Sequence, residues 1–228
     1  MSNEHQPLRK GLLLGLAIIL ASLPWGSAQA TSVFINEIHY DNTGTDAGEA
    51  VEIAGHAGTD LTGWSLVRYN GSNGTVYDSD VLGGVILNQQ NGFGTILLNY
   101  PINGLQNGAP DGLALVDASS NVVQFLSYEG SFTAVGGAAN GLTSTDIGVS
   151  ESSSTSIGNS LQLTGTGTMY GDFTWAAAMP NTFGAVNTRQ TFESQQPVPE
   201  PSTIFLLGSG LTGLSFWRWK SRTHRSLT

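Results

Sequence analysis

Asp41-Asn42-Thr43-Gly44-Thr45-Asp46, followed by Glu49, gathers side-chain oxygens in a glycine-containing loop, the chemistry a hard cation such as calcium requires. The spacing departs from an EF-hand, because Thr43 and Thr45 stand where that loop places acidic or amide residues. Two readings of Asp41, Asp46 and Glu49 stand, calcium ligands and a solvated turn, and the composition favours the turn. Asp78-Ser79-Asp80 is a poorer cation candidate. His39 and His56 are too few for a histidine-rich zinc site, so a general base must come from this pair or from a carboxylate. His39-Tyr40-Asp41 could assist hydrolysis at a strand end, although a histidine and aspartate capping a turn is the commoner outcome of such a pattern. No G-x-S-x-G elbow occurs, and the serines cluster in tracts such as Ser152-Ser153-Ser154-Thr155-Ser156, where triad geometry is hard to hold. The chain has no cysteine, which excludes thiolate zinc sites, cysteine nucleophiles and disulfides. Gly208-Ser209-Gly210-Leu211-Thr212-Gly213 satisfies G-x-G-x-x-G, but no strand precedes it and it lies in an apolar run, so the dinucleotide reading fails.

The two ends carry addresses rather than chemistry. Arg9 and Lys10 precede an apolar stretch from Leu12 to Leu23, and Ala28-Gln29-Ala30 offers small residues at the spacing signal peptidase needs. Residues 1–30 therefore read as a signal peptide, cut after Ala30. At the other end Val198, Pro199, Glu200 and Pro201 are followed by an apolar run from Ile204 to Trp217 and by Arg218, Lys220, Arg222 and Arg225. That run predicts a short transmembrane helix with interfacial tryptophans at 217 and 219 and a basic cluster held in the cytoplasm. The order resembles a PEP-CTERM sorting signal, recognised by an exosortase, across residues 198–228. The resemblance implies a Gram-negative bacterium that makes exopolysaccharide, transient anchoring in its inner membrane, cleavage near Pro199 to Pro201, and delivery to the outer surface or extracellular matrix.

Between these segments lies a body of about 165 residues, enough for one domain with a respectable core. From Glu37 to Glu193 it carries fifteen acidic residues against Arg68 and Arg189 alone, so nucleic acid is disfavoured as a partner. Short runs rich in Val, Ile, Leu and aromatics alternate with Gly, Asn and Asp, and none keeps a helical period. Strands are predicted at 33–39, 51–54, 64–69, 95–100, 113–117, 122–128, 160–163 and 172–176, with residues 117–121 turning a hairpin. Trp64 and Leu66 fall on one face of their strand, which makes Trp64 a core candidate worth about 2–3 kcal/mol of burial. Sugar stacking is the rival role for Trp64, and more so for Trp175. Residues 131–159, dominated by Gly, Ala, Ser and Thr, predict a long polar surface loop pinned by Leu142, Ile147 and Val149. Residues 191–197 read as a linker.

Ile35-Asn36-Glu37-Ile38, Val51-Glu52-Ile53 and Asp60-Leu61-Thr62-Gly63-Trp64-Ser65-Leu66 occur in the order and spacing of a lamin tail domain. Asp111-Gly112-Leu113-Ala114-Leu115-Val116-Asp117, Ser160-Leu161-Gln162-Leu163, Phe173-Thr174-Trp175 and Gly184-Ala185-Val186-Asn187 continue the likeness. The body, residues 31–190, thus resembles that family, which implies an all-β, immunoglobulin-like β-sandwich. The expected function is that of an exported, noncatalytic interaction or structural module, with matrix polysaccharide or a surface protein as partner and no cofactor beyond a possible calcium ion. The alternatives are a secreted metal-assisted hydrolase using Asp41, Asp46, Glu49 and His39, and a calcium-dependent glycan-binding protein.

Overall fold

In the computed structural model residues 32–194 are described, all within the unit Thr31–Thr228. Eleven strands follow one another along them: β1 (Val33–His39), β2 (Ala50–His56), β3 (Ser65–Asn70), β4 (Thr75–Val81), β5 (Phe93–Asn99), β6 (Asp111–Val116), β7 (Val122–Tyr128), β8 (Thr145–Asp146), β9 (Asn159–Gly167), β10 (Phe173–Pro180) and β11 (Gln190–Phe192). One 3-10 turn, Tyr170–Asp172, interrupts them, and no helix among the described residues is long and apolar enough to cross a membrane. The first sheet runs β10-β9-β1-β2-β5, with β11 added in parallel beside β9. The second runs β4-β3-β6-β7-β8.

Alternation along the strands builds the core between the sheets. Ile35, Ile38, Val51, Ile53, Leu161 and Leu163 of the first sheet meet Leu66, Leu113, Leu115, Leu126 and Tyr128 of the second in one buried cluster. Neighbouring residues point the other way. Val67, Tyr69, Ala114, Val116 and Phe125 form a second cluster on the far face of the second sheet, covered by Phe132, Ala134 and Ala139.

Residues 131–159, expected as a polar surface loop pinned by Leu142, Ile147 and Val149, stay largely exposed, yet part of the stretch supplies this cover. The stretch folds back on itself through Thr133 and Thr143, adds β8 to the sheet edge, and buries Phe132, Ala134, Ala139 and Ile147. Val149 packs partly against the core, whereas Leu142, expected as a pin, is 46 % exposed. The Tyr69 hydroxyl fixes the crossing, donating to the Gly136 carbonyl and accepting from the Ala139 amide at 2.9 Å. Gly137 is required there, because its φ is +64° and a Cβ would come within 2.5 Å of the Tyr69 hydroxyl.

Three further differences have physical causes. Strand β4, not anticipated, places Asp78 and Asp80 on a sheet edge, where charge blocks pairing with other chains. Strand β11 takes Thr191 and Phe192 out of the expected linker, because the Phe192 ring is fully buried and stacks on Phe93 at 4.5 Å. Trp64 lies just before β3 and is half-buried against the core, with Leu61 and Leu66 filling the deep positions beside it. The hairpin turn at 117–121 forms as predicted, with Asp117 accepting from the Ser119 and Asn121 amides.

Candidate functional site

Strand β1 ends at His39, and the chain there turns inward before the loop to β2. Tyr40 is fully buried and its ring stacks on Tyr128 at 3.9 Å. Glu151, from the serine-rich tract, reaches into the same place with its side chain completely enclosed. Its carboxylate sits 2.9 and 3.0 Å from His39 Nδ1 and accepts the backbone amides of Tyr40 and Asp41 at 2.7 and 3.0 Å. The Glu151 amide in turn donates to the Tyr40 hydroxyl at 2.8 Å, and that hydroxyl donates to Glu129 at 2.9 Å. His39 Nε2 lies 3.3 Å from the Ala47 carbonyl and 3.2 Å from Asn42 Nδ2. Burial alone pushes the His39 ring down, but the hydrogen bond and charge of Glu151, helped by Ala47 and Glu49, hold it above its ordinary value. Glu151 was not legible in the sequence as a functional residue: it stands alone among serines.

The sequence-selected carboxylates brace loops. Asp46 accepts the Asn42 amide at 3.1 Å and the Asn107 side-chain amide at 3.0 Å. Glu49, 1 % exposed, accepts the Gly104 and Leu105 amides at 2.6 and 3.3 Å. Burial raises the Glu49 carboxyl although both amides oppose the shift. Burial raises Asp41 too, and the adjacent Asp46 carboxylate adds to it. Among the described residues no group of three or more His, Asp or Glu side chains converges as a metal-holding cluster. Two buried oxygens in this region, Glu49 Oε1 and Asn42 Oδ1, have no protein partner.

At Asp78 and Asp80 the chain supplies its own cation. Arg68, nearly buried, pairs with Asp78 at 2.6 Å and Asp80 at 3.3 Å, and its remaining amino group donates to the Gly104 carbonyl. The guanidinium lies 4.5 Å from the centre of the Tyr100 ring and 5.5 Å from that of Tyr77, a cation–π sandwich. The His56 ring lies tilted against Phe93 at 4.1 Å, at the opposite end of β2 from His39, so the two histidines do not act together. Trp175, weighed as a sugar platform, is buried and donates to the Tyr170 hydroxyl at 3.0 Å.

A second polar centre lies on the first sheet. Glu37 and Glu52 stand directly opposite each other on β1 and β2, both fully buried, where a β-bulge at Asn36 brings them into register. Glu37 accepts Ser160 Oγ at 2.5 Å, the Thr182 amide at 2.8 Å and the Thr182 hydroxyl at 2.9 Å. Glu52 accepts the Gly184 amide at 2.6 Å and Asn36 Nδ2 at 3.2 Å. Burial, reinforced by the charge of Glu37, pushes the Glu52 carboxyl up to about 8. Burial raises Glu37 as well, against its hydrogen bonds. A signal for this centre was present: each glutamate interrupts a run of apolar strand formers, where a lone charge needs buried partners.

Open depressions occur elsewhere. One of about 350 Å³ is lined by Asn91, Thr166, Thr191, Phe192, Glu193 and Ser194. Another of about 170 Å³ is lined by Glu129, Asp146, Gly148, Val149 and Ser150. Neither contains His39, Asp46 or Glu49.

The expected processing and sorting residues, Ala28, Ala30, Val198, Pro199, Glu200, Pro201, Arg218, Lys220 and Arg222, lie outside the described residues, as do the segments expected to be a signal peptide and a sorting helix. Comparison with protein families finds the PEP-CTERM protein-sorting motif at residues 197–221. No curated protein and no solved structure matches the chain. The motif implies a protein exported and processed by an exosortase at a membrane.

Proposed function

We propose that the processed body is a noncatalytic β-sandwich of lamin-tail type that serves as an interaction or structural module on the outer surface or in the exopolysaccharide matrix of a Gram-negative bacterium. The observation that carries the noncatalytic reading is the use made of the candidate catalytic groups. Glu37, Glu49, Glu52 and Glu151 are buried and accept backbone amides, and His39 is enclosed against Glu151. A hydrolytic base or metal ligand needs an open face toward substrate, and these side chains are enclosed and brace loops. The ordered lamin-tail-like motifs support the family reading, and the sorting motif supports delivery outside the inner membrane.

The test is a pull-down of the protein against the producer's own matrix, beside nuclease and phosphodiesterase assays with divalent cations. Retention on matrix polysaccharide or on a surface protein, with background turnover, is expected. Metal-dependent turnover abolished by Asp41→Asn with Asp46→Asn would replace this reading with the hydrolase. A second reading, calcium-dependent glycan binding, draws on the unpartnered Glu49 Oε1 and Asn42 Oδ1, two oxygens of the type calcium prefers. Matrix retention lost in chelator and restored by calcium would favour it.

A further inference from the structure

After β10 the chain crosses the first sheet as a strap, from Thr182 to Gln190, and closes over the Glu37 and Glu52 side chains. Val186 packs against the core, and polar attachments join it. Besides the Thr182 and Gly184 amides on the two carboxyls, Asn187 Nδ2 donates to the Asn36 and Leu163 carbonyls at 3.2 and 2.9 Å, and Gln190 Nε2 donates to Asn36 Oδ1 at 2.8 Å. Donors from several elements therefore converge on one pair of carboxyls: the Thr182 amide and hydroxyl, Ser160 Oγ, the Gly184 amide, Asn36 Nδ2 and, from β5, the Thr95 side chain.

Each of these donors favours the ionised form of the carboxyl it faces, but burial works against both charges. Two carboxylates opposite each other in a water-excluded site repel strongly, and the ordinary solution is for the pair to hold one proton. The cationic group that reaches Glu37 is His39, whose ring is committed to Glu151, so it is not free to neutralise a second charge. On β1 the nearest titratable neighbour is His39, on β2 the flanking positions are Val51 and Ile53, on β9 they are Ser160 and Gln162, and on the strap Arg189 is exposed. A second charge is thus relieved chiefly by admitting water, and the strap is the lid that excludes it.

We propose that the strap from Thr182 to Gln190 is a proton-controlled latch, closed while the Glu37–Glu52 pair holds a proton and lifted from the sheet when that proton is lost. Lifting uncovers the outer face of β1, β2 and β9 at the end of the body that leads into the sorting motif. The device goes beyond the module reading and does not depend on the identity of any matrix ligand.

Hydrogen exchange on the full chain in detergent micelles tests it, read at Thr182 and Gly184 and corrected for intrinsic rates. Between pH 6 and pH 9.5 protection at these two amides should fall by about tenfold or more while Leu115 in β6 keeps its protection, because the opening is local. In Glu52→Gln the fall should disappear. Unchanged protection at Thr182 and Gly184 in the unmutated chain overturns the latch, and so does a fall that survives in Glu52→Gln. A carboxyl NMR titration of the unmutated chain supplies a measurement independent of any variant. Two linked steps for Glu37 and Glu52 support the shared proton, and two independent, ordinary glutamate titrations overturn it.

Discussion

Glu151→Ala removes the acceptor shared by the His39 ring and two backbone amides, and leaves those amides buried without a partner. The expected loss is on the order of 2–4 kcal/mol in urea unfolding, larger than an exposed glutamate costs. The pH dependence has a definite sign. His39 is held above its ordinary value of 6.5 in the fold, so its pairing with Glu151 contributes fully below that value and is lost as pH rises through the raised one. A Glu151→Ala variant should lack this segment of the stability curve, and stability that still falls with pH there to the same extent would contradict the pairing. Trp64 supplies a contrast. Because it is half-buried while Leu66 is fully buried, Trp64→Ala should cost about 1–2 kcal/mol and Leu66→Ala about 2–5 kcal/mol by the same measurement. At this scale the sequence showed residue types but not their partners. His39 was visible as a strand-end histidine, yet its acceptor lies 112 positions away in a tract whose composition suggested only solvent.

Strands whose residues alternate or run apolar were legible: β1 and β7 were read to their exact ends, β3 to within one residue, and β2, β5, β6, β9 and β10 to within a few residues. Three strands were not, each for a local reason. In β4 the Asp78-Ser79-Asp80 sequence mimics a turn, and only the Arg68 sandwich across β3 explains two aspartates on a strand. Strand β8 has two residues, too few for any period. In β11 one buried aromatic among Gln and Thr carries the attachment. The stretch 131–159 is the larger lesson, since small apolar residues with backbone bridges cover a sheet face without a conspicuous hydrophobic run. Phe132, wedged against Phe125 at 5.4 Å, should therefore behave as a core residue. Phe132→Ala is expected to destabilise by about 3–5 kcal/mol and to open this stretch to limited proteolysis, whereas the unmutated protein resists cleavage there. Rapid cleavage of the unmutated chain between residues 131 and 144 would restore the loop reading.

Among the described residues four buried acids shift in the same direction. Glu37, Glu49, Glu52 and Asp111 are all raised by burial, while the exposed Asp60 and Asp117 are lowered by hydrogen bonds from their own turns. A raised carboxyl favours the folded state most at low pH, below its ordinary value near 4.5, and that contribution is lost as pH rises through the folded value, about 8 for Glu52. The melting temperature should accordingly climb as pH falls from 9 toward 5, by an amount equivalent to a few kcal/mol. The excess of acidic over basic residues in the body adds to this, since acid and added salt both relieve self-repulsion. A body with these properties suits an exported protein, and export with processing is the claim on which the functional account rests. Intact mass spectrometry of the protein recovered from outside the cell tests it most directly. The account predicts a species beginning near Thr31 and lacking the residues beyond the Pro199–Pro201 motif; a dominant full-length chain outside the cell would contradict it.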